Sequence, residues 1–166
     1  RSGNIRHILA RHEQGAGFIA QGQVRVTGRP AVFFATSGPG ATNAISAVAD
    51  AKLDSIPVIC ITGQVPQAMI GTDAFQEIDT YGLSVPITKH SFFARSASEL
   101  LEIVPAAFRI AQSGRPGPVW IDIPKDVQLE QVWVDEWPLP GRTELLPKAD
   151  PGSIQLAATM INEAKR

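Results

Sequence analysis

Three short apolar runs constrain this chain more than anything else in it. They are Ala31–Thr36 (AVFFAT), Pro57–Thr62 (PVICIT) and Val119–Ile123 (VWIDI). Each has the length of a strand and almost no polar alternation, so each calls for cover on both faces. Helical patterns lie between them. Glu13–Thr27 places Ala16, Ile19, Ala20 and Gln23 on one face and closes at Gly28. Ala41–Lys52 is rich in alanine, and Ser98–Ser113 opens on Ser98 as an N-cap. His7–Arg11 reads as a short strand, Ile87–Arg95 as extended, and residues 64–86 as a long connection with short helical pieces. Apolar strands alternating with helices predict the α/β class: a three-layer αβα sandwich with a mostly parallel sheet.

Composition narrows the chemistry. The chain has 166 residues, 44% hydrophobic and 19% charged, enough to bury a core without metal or disulfide staples. Its single cysteine, Cys60, excludes an internal disulfide and a zinc site built on several thiolates. Fifteen Lys and Arg against 16 Asp and Glu leave a net charge of -1, so bulk attraction to nucleic acid or an acidic membrane is not expected. No apolar run has the roughly 20 residues of a membrane span, and no signal-peptide pattern opens the chain. The expected compartment is the cytoplasm. Residues 1–135 read as most of one domain, 136–150 as a proline-rich linker, and 151–166 as the first helix of a following domain. The opening, without methionine, reads as an element already under way.

In a parallel sheet, ligands sit beyond the carboxyl ends of the strands, and several distinctive segments follow those ends. Glu13, in Arg11-His12-Glu13-Gln14-Gly15, is either a first-turn acid stabilising its helix or a carboxyl facing a ligand nitrogen. In the second case burial would raise its pKa. Ser37-Gly38-Pro39-Gly40 is a tight turn whose small residues let a ligand approach the backbone, with a helix N-terminus behind it. It lacks the Lys-Ser/Thr ending of a phosphate loop and the frame of a nucleophile elbow. The segment from Gly63 to Glu77 is a long irregular stretch of a functional kind, and its acids Asp73, Glu77 and Asp79 match no calcium loop. Arg115 and Lys125 are candidate anion-binding cations or plain surface charges. The three histidines show no metal-ligand spacing, and no metal site is expected in this chain.

Taken in order, RHEQGAG, ATSGPGATNAI, DSIPVICITGQVP, IGTDAFQEID, ITKHSF and GRPGPVWIDIPKDV resemble the pyrimidine-binding N-terminal domain of thiamine-diphosphate enzymes. Within that family they are most similar to the large catalytic subunit of acetolactate synthase, over residues 5–130. The resemblance implies a pyrimidine-domain fold lacking its first strand and helix. It also implies an activity: decarboxylation of pyruvate and transfer of the two-carbon unit to a second 2-oxoacid, in branched-chain amino-acid synthesis. It makes Glu13 the partner of the aminopyrimidine N1′. Gly38, Pro39 and Asn43 become the loop beside that ring, Phe75 and Gln76 the residues facing thiazolium and substrate, and Lys125 a substrate-channel lysine. Pro66, Ala74 and Lys89 match positions where the family's herbicides bind, and Arg115 matches a contact to FAD. The implied cofactors are thiamine diphosphate, Mg2+ with ligands outside this chain, and FAD. The implied partners are the diphosphate-binding domain of a neighbouring subunit and further copies of the whole protein. Gln21-Gly22-Gln23-Val24-Arg25-Val26 departs from the family's usual first helix. Other thiamine-diphosphate carboligases or decarboxylases, and a free-standing non-catalytic binding or oligomerisation module, are the alternatives. With half a site, the purified chain is expected to form no acetolactate from pyruvate; a colorimetric acetoin assay with added thiamine diphosphate and Mg2+ checks this, and measurable product would refute it.

Overall fold

A computed structural model describes residues 5–143 and 148–165. The three apolar runs become β1 (Ala31–Ala35), β2 (Val58–Gln64) and β4 (Val119–Pro124), joined by β3 (His90–Phe93). They form one four-stranded sheet in the order β1-β2-β4-β3, with every neighbouring pair parallel. Helices α1 (Glu13–Thr27) and α2 (Pro39–Leu53) cover one face, and α4 (Leu100–Gln112) covers the other. The expected αβα sandwich is therefore the observed architecture. Two cores follow from the strand alternation. Phe33, Val58, Cys60 and Trp120 pack toward α1 and α2, while Ile59, Val119 and Ile121 pack toward α4.

Local chemistry sets the helix ends. His12 caps α1 through its Nδ1, which accepts from the Gln14 N–H at 3.1 Å, and Gly28 closes it in the left-handed region at φ 66°. Pro39 opens α2, where its missing N–H costs nothing. A Cβ on Gly17 would fall 2.5 Å from that of Ala47, so glycine lets α1 and α2 come into contact. Beside it Gln21, from the divergent stretch of the first helix, is buried and donates to the Ala47 carbonyl at 2.8 Å.

The structure corrects four expectations. His7–Arg11 is not a strand, because no ladder hydrogen bonds tie it to β1 among the described residues. Val32 and Phe34 are exposed, because β1, at the sheet edge and beyond the reach of α4, is covered by helices on one face only. The buried face of α1 is Gly17, Ala20, Gln21 and Val24; Ile19 and Gln23 instead border a groove between α1, β1 and residues 5–12. Ser98 does not cap α4. Glu99 stands at the cap without a side-chain bond, and the Ser96 hydroxyl accepts from the Glu99 N–H at 3.3 Å. Ile87–Arg95 is extended only over β3, after a 3-10 turn at Val85–Ile87. Residues 151–163 are helical as expected (α6, Pro151–Glu163), with every residue exposed.

One polar cluster sits inside this apolar sheet. Thr62 and Asp122 face each other across β2 and β4. The Thr62 hydroxyl donates to Asp122 Oδ1 at 2.7 Å and accepts from Trp120 Nε1 at 2.8 Å. The Gln64 amide donates to Asp122 Oδ2 at 3.1 Å and to the Ile78 carbonyl at 2.9 Å. The same amide nitrogen lies 3.3 Å from the Thr80 hydroxyl. Burial pushes the Asp122 carboxyl up to about 6, against the pull of these donors. Its folded-state value lies above the ordinary 3.8, so the folded chain holds the proton more tightly. The resulting stability is complete below about 3.8 and is lost as pH rises through about 6. Glu13, Glu77 and Asp126 are shifted downward and act in the opposite sense, so a variant is needed to isolate the effect. Urea unfolding of wild type and Asp122→Asn between pH 4 and 7 should show wild type losing up to ~3 kcal/mol relative to the variant. Parallel curves would remove Asp122 as the source.

Candidate functional site

Parallel strands end together, so the loops after β1, β2 and β4 gather at one edge. There Phe34, Thr36, Ser37, Gly63, Gln64 and Gln76 line a cleft of about 550 Å³, joined by Lys125 and Gln128. Lys125 is the first residue of α5 (Lys125–Leu129), directly after β4. Gln128 donates to the Ile123 carbonyl at 2.7 Å, which folds α5 back over the strand end. Gln76 arrives from the long connection 65–80, which carries a 3-10 turn (Gln67–Met69) and ends in α3 (Thr80–Ser84).

Two glycines in the turn after β1 set the geometry. Gly38 has φ 58° and ψ -113°, open to glycine alone, and a Cβ there would lie 2.7 Å from the Gln76 carbonyl oxygen. The 65–80 loop therefore rests directly on the turn. A Cβ on Gly40 would meet Thr36 Cγ2 at 2.6 Å and Glu13 Oε1 at 3.5 Å. Glu13 comes from the start of α1 and Asn43 from the first turns of α2. The Asn43 amide donates to Glu13 Oε2 at 3.1 Å, while Oε1 faces the glycine turn.

The Glu13 carboxyl is held below the usual range, first by its own backbone N–H and then by Asn43. The upward shift expected from burial does not occur, because in this chain the group is only partly covered and sits among donors. It is an ionised acceptor with one oxygen fixed.

The structure brings Glu13, Gly38, Pro39, Asn43, Gln76 and Lys125 to one edge of the sheet. It does not bring the others there. Phe75 neighbours Gln76 but is 89% exposed and outside the cleft. Arg115 lies at the opposite, amino edge, where its guanidinium donates to Ser55 Oγ at 2.7 Å and to the Leu53 carbonyl at 2.9 Å. Lys89 is also at that edge, with Nζ donating to the carbonyls of Ile110 at 2.5 Å and Ser113 at 2.6 Å. Burial and the nearby Lys52 hold the Lys89 ammonium below its ordinary pKa. Pro66 and Ala74 both belong to the stretch from the end of β2 to Gln76. Sequence reading missed Gln128 and the buried Thr62–Gln64–Asp122 cluster. A carboxylate within VWIDI was the available signal.

The chain fits one end of thiamine diphosphate. A fixed carboxylate acceptor beside a turn stripped of side chains suits a flat ring with a basic nitrogen. Among the described residues no group of three or more His, Cys, Asp or Glu could hold a metal ion.

Residues 1–83 match the family model described as thiamine pyrophosphate enzyme, N-terminal TPP binding domain. The whole chain is 63% identical to 30% of the acetolactate synthase isozyme 1 large subunit of Escherichia coli. It is 50% identical, over 99% of its length, to 27% of the acetolactate synthase large subunit of Corynebacterium glutamicum. It is 49% identical, over its full length, to 26% of the chloroplastic acetolactate synthase 2 of Nicotiana tabacum. The chain thus spans between 26% and 30% of the length of these three relatives.

The Gly38 contact generates a prediction. Gly38→Ala should cost at least ~2 kcal/mol, from forced positive φ and collision with Gln76. Thermal unfolding gives the loss, and limited proteolysis within residues 65–80 should speed up in step. An alanine variant of unchanged stability and protease resistance would contradict the contact.

Proposed function

We infer the function from one premise: the chain belongs to the thiamine pyrophosphate enzymes, as their N-terminal TPP binding domain. It forms the aminopyrimidine-facing half of a thiamine diphosphate site in a longer acetolactate synthase. That protein decarboxylates pyruvate and joins the two-carbon unit to a second 2-oxoacid, in the cytoplasm. The observation that carries the reading is the Glu13–Asn43 pair against the Gly38–Gly40 turn at the carboxyl edge.

Glu13, with Oε2 already held by Asn43, would hold the aminopyrimidine through Oε1, and its negative charge would favour a proton on the facing ring nitrogen. The small turn residues Gly38, Pro39 and Gly40 leave room for the ring to lie against backbone. When bound, the cofactor supplies carbanion stabilisation at its thiazolium. Gln76 lines the cleft as an orienting amide, and Lys125 offers a cation to a 2-oxoacid carboxylate. Phe75, exposed in this chain, would face the thiazolium and substrate once the diphosphate-binding domain of a neighbouring subunit completes the site with the Mg2+ ligands. Residues 1–135 are the pyrimidine domain, 136–150 the linker, and 151–166 the first helix of the next domain. A contact from Arg115 to FAD rests on the family resemblance alone. Its guanidinium already holds Ser55 and Leu53 at the other edge of the sheet, so any flavin contact lies apart from the cleft.

The test exchanges this chain for the matching segment of the Escherichia coli isozyme 1 large subunit, to which it is 63% identical. The hybrid should form acetolactate from pyruvate. Glu13→Gln in it should reduce kcat by ~100-fold or more. Equal rates for the two would overturn the role of Glu13, and an inactive but folded hybrid would favour a non-catalytic module.

A further inference from the structure

The connection 65–80 is a long irregular segment, yet three side chains hold it. At its start Asp126 accepts from the Gln67 N–H at 3.2 Å and the Gln67 amide at 3.3 Å. At its end Gln64 reaches Ile78 and Thr80. Its middle depends on one residue. The carboxylate of Glu77 accepts from the backbone N–H groups of Gly71, of Thr72 at 3.2 Å and of Ala74 at 3.1 Å. Three converging amides bind an ionised oxygen pair much as a nest binds an anion. The segment they close contains two non-glycine residues at positive φ, Asp73 at 55° and Gln76 at 63°. Such backbone persists only where its surroundings over-determine it. Immediately before Glu77, Gln76 presses its Cα and carbonyl onto Gly38 and lines the cleft.

We propose that Glu77 is a positioning residue: by gathering the 71–74 amides onto its carboxylate, it holds Gln76 against Gly38 and into the cleft. Glu77 itself does not line the cleft. Only the consequence for rate rests on the functional reading given above; the placement of Gln76 does not.

Two measurements test placement on the chain itself. Amide hydrogen exchange should show Gly71, Thr72 and Ala74 protected as a set. In Glu77→Ala all three should exchange at least ~10-fold faster while β2 and β4 keep their protection. An NMR nuclear Overhauser contact between the α-protons of Gln76 and Gly38 should be present in wild type and lost in the variant. Glu77→Gln, which keeps one acceptor oxygen, should fall between, and it carries the test if the alanine variant does not fold. Glu136→Ala, an exposed acid outside the loop, should match wild type.

In the hybrid enzyme, Glu77→Ala should reduce kcat by ~10-fold or more, and adding Gln76→Ala should cause little further loss, as expected for residues acting as one unit. Unchanged exchange, a retained Gln76–Gly38 contact, or losses that multiply independently would each overturn the proposal. An inactive hybrid with the exchange and contact results intact would count against the functional reading and leave the positioning role standing.

Discussion

The cleft depends on a hydrogen-bonded carboxyl buried where the sheet would otherwise be apolar. Asp122 joins β4 to β2 through Thr62, and Gln64 carries the connection onward to Ile78 and Thr80. An unsatisfied acceptor at that depth would cost several kcal/mol, so each donor is obligatory once the carboxyl is there. The arrangement converts strand register into loop position. Because Thr62 must face Asp122, Gln64 must emerge at the end of β2, and the loop's return point is fixed by its amide. Apolar residues at these positions would hold the sheet together but would not specify where the loop goes.

Around that anchor the division of labour follows the polarity of the strands. The carboxyl edge gathers glycines, amides and a few charges whose side chains remain available. At the amino edge, Lys89 and Arg115 are tied to backbone carbonyls at the ends of α4 and α2. The same residue types therefore do opposite things. Lys125 lines the cleft, whereas Lys89 has its ammonium drawn onto the carbonyls at the end of α4.

Much of this was legible from residues alone. Runs such as PVICIT can only be central parallel strands, and the motif-bearing turns then had to share one edge. The turn at Gly38 was also readable, since the Ser-Gly-Pro-Gly order suits little else. What escaped was whatever depends on a partner distant in sequence. His7–Arg11 has the composition of a strand but forms no ladder among the described residues, and β1 keeps one bare face because α4 does not reach it. The face of α1 was misjudged because Gly17 and Gln21 are poor hydrophobic markers, yet their small size and carbonyl bond to Ala47 turn the helix inward. The resemblance gave Arg115 and Lys89 their roles, and it says nothing of their place at the amino edge of the sheet. For Glu13 the pattern pointed to a carboxyl at the site, but its ionisation depends on donors that only folding supplies.

Helix α2 links the two edges electrically. Its carboxyl end has the Leu53 carbonyl bound by Arg115, while its amino end carries no acidic residue in the first turn and no side-chain cap at Gly38. The negative pole of the helix is neutralised and the positive pole is left bare, within a turn of the Glu13 carboxylate. The helix thus serves as a fixed counter-charge. Beside the backbone and Asn43 donors, it steadies the Glu13 anion with a charge that is fixed in the fold and needs no reorganisation.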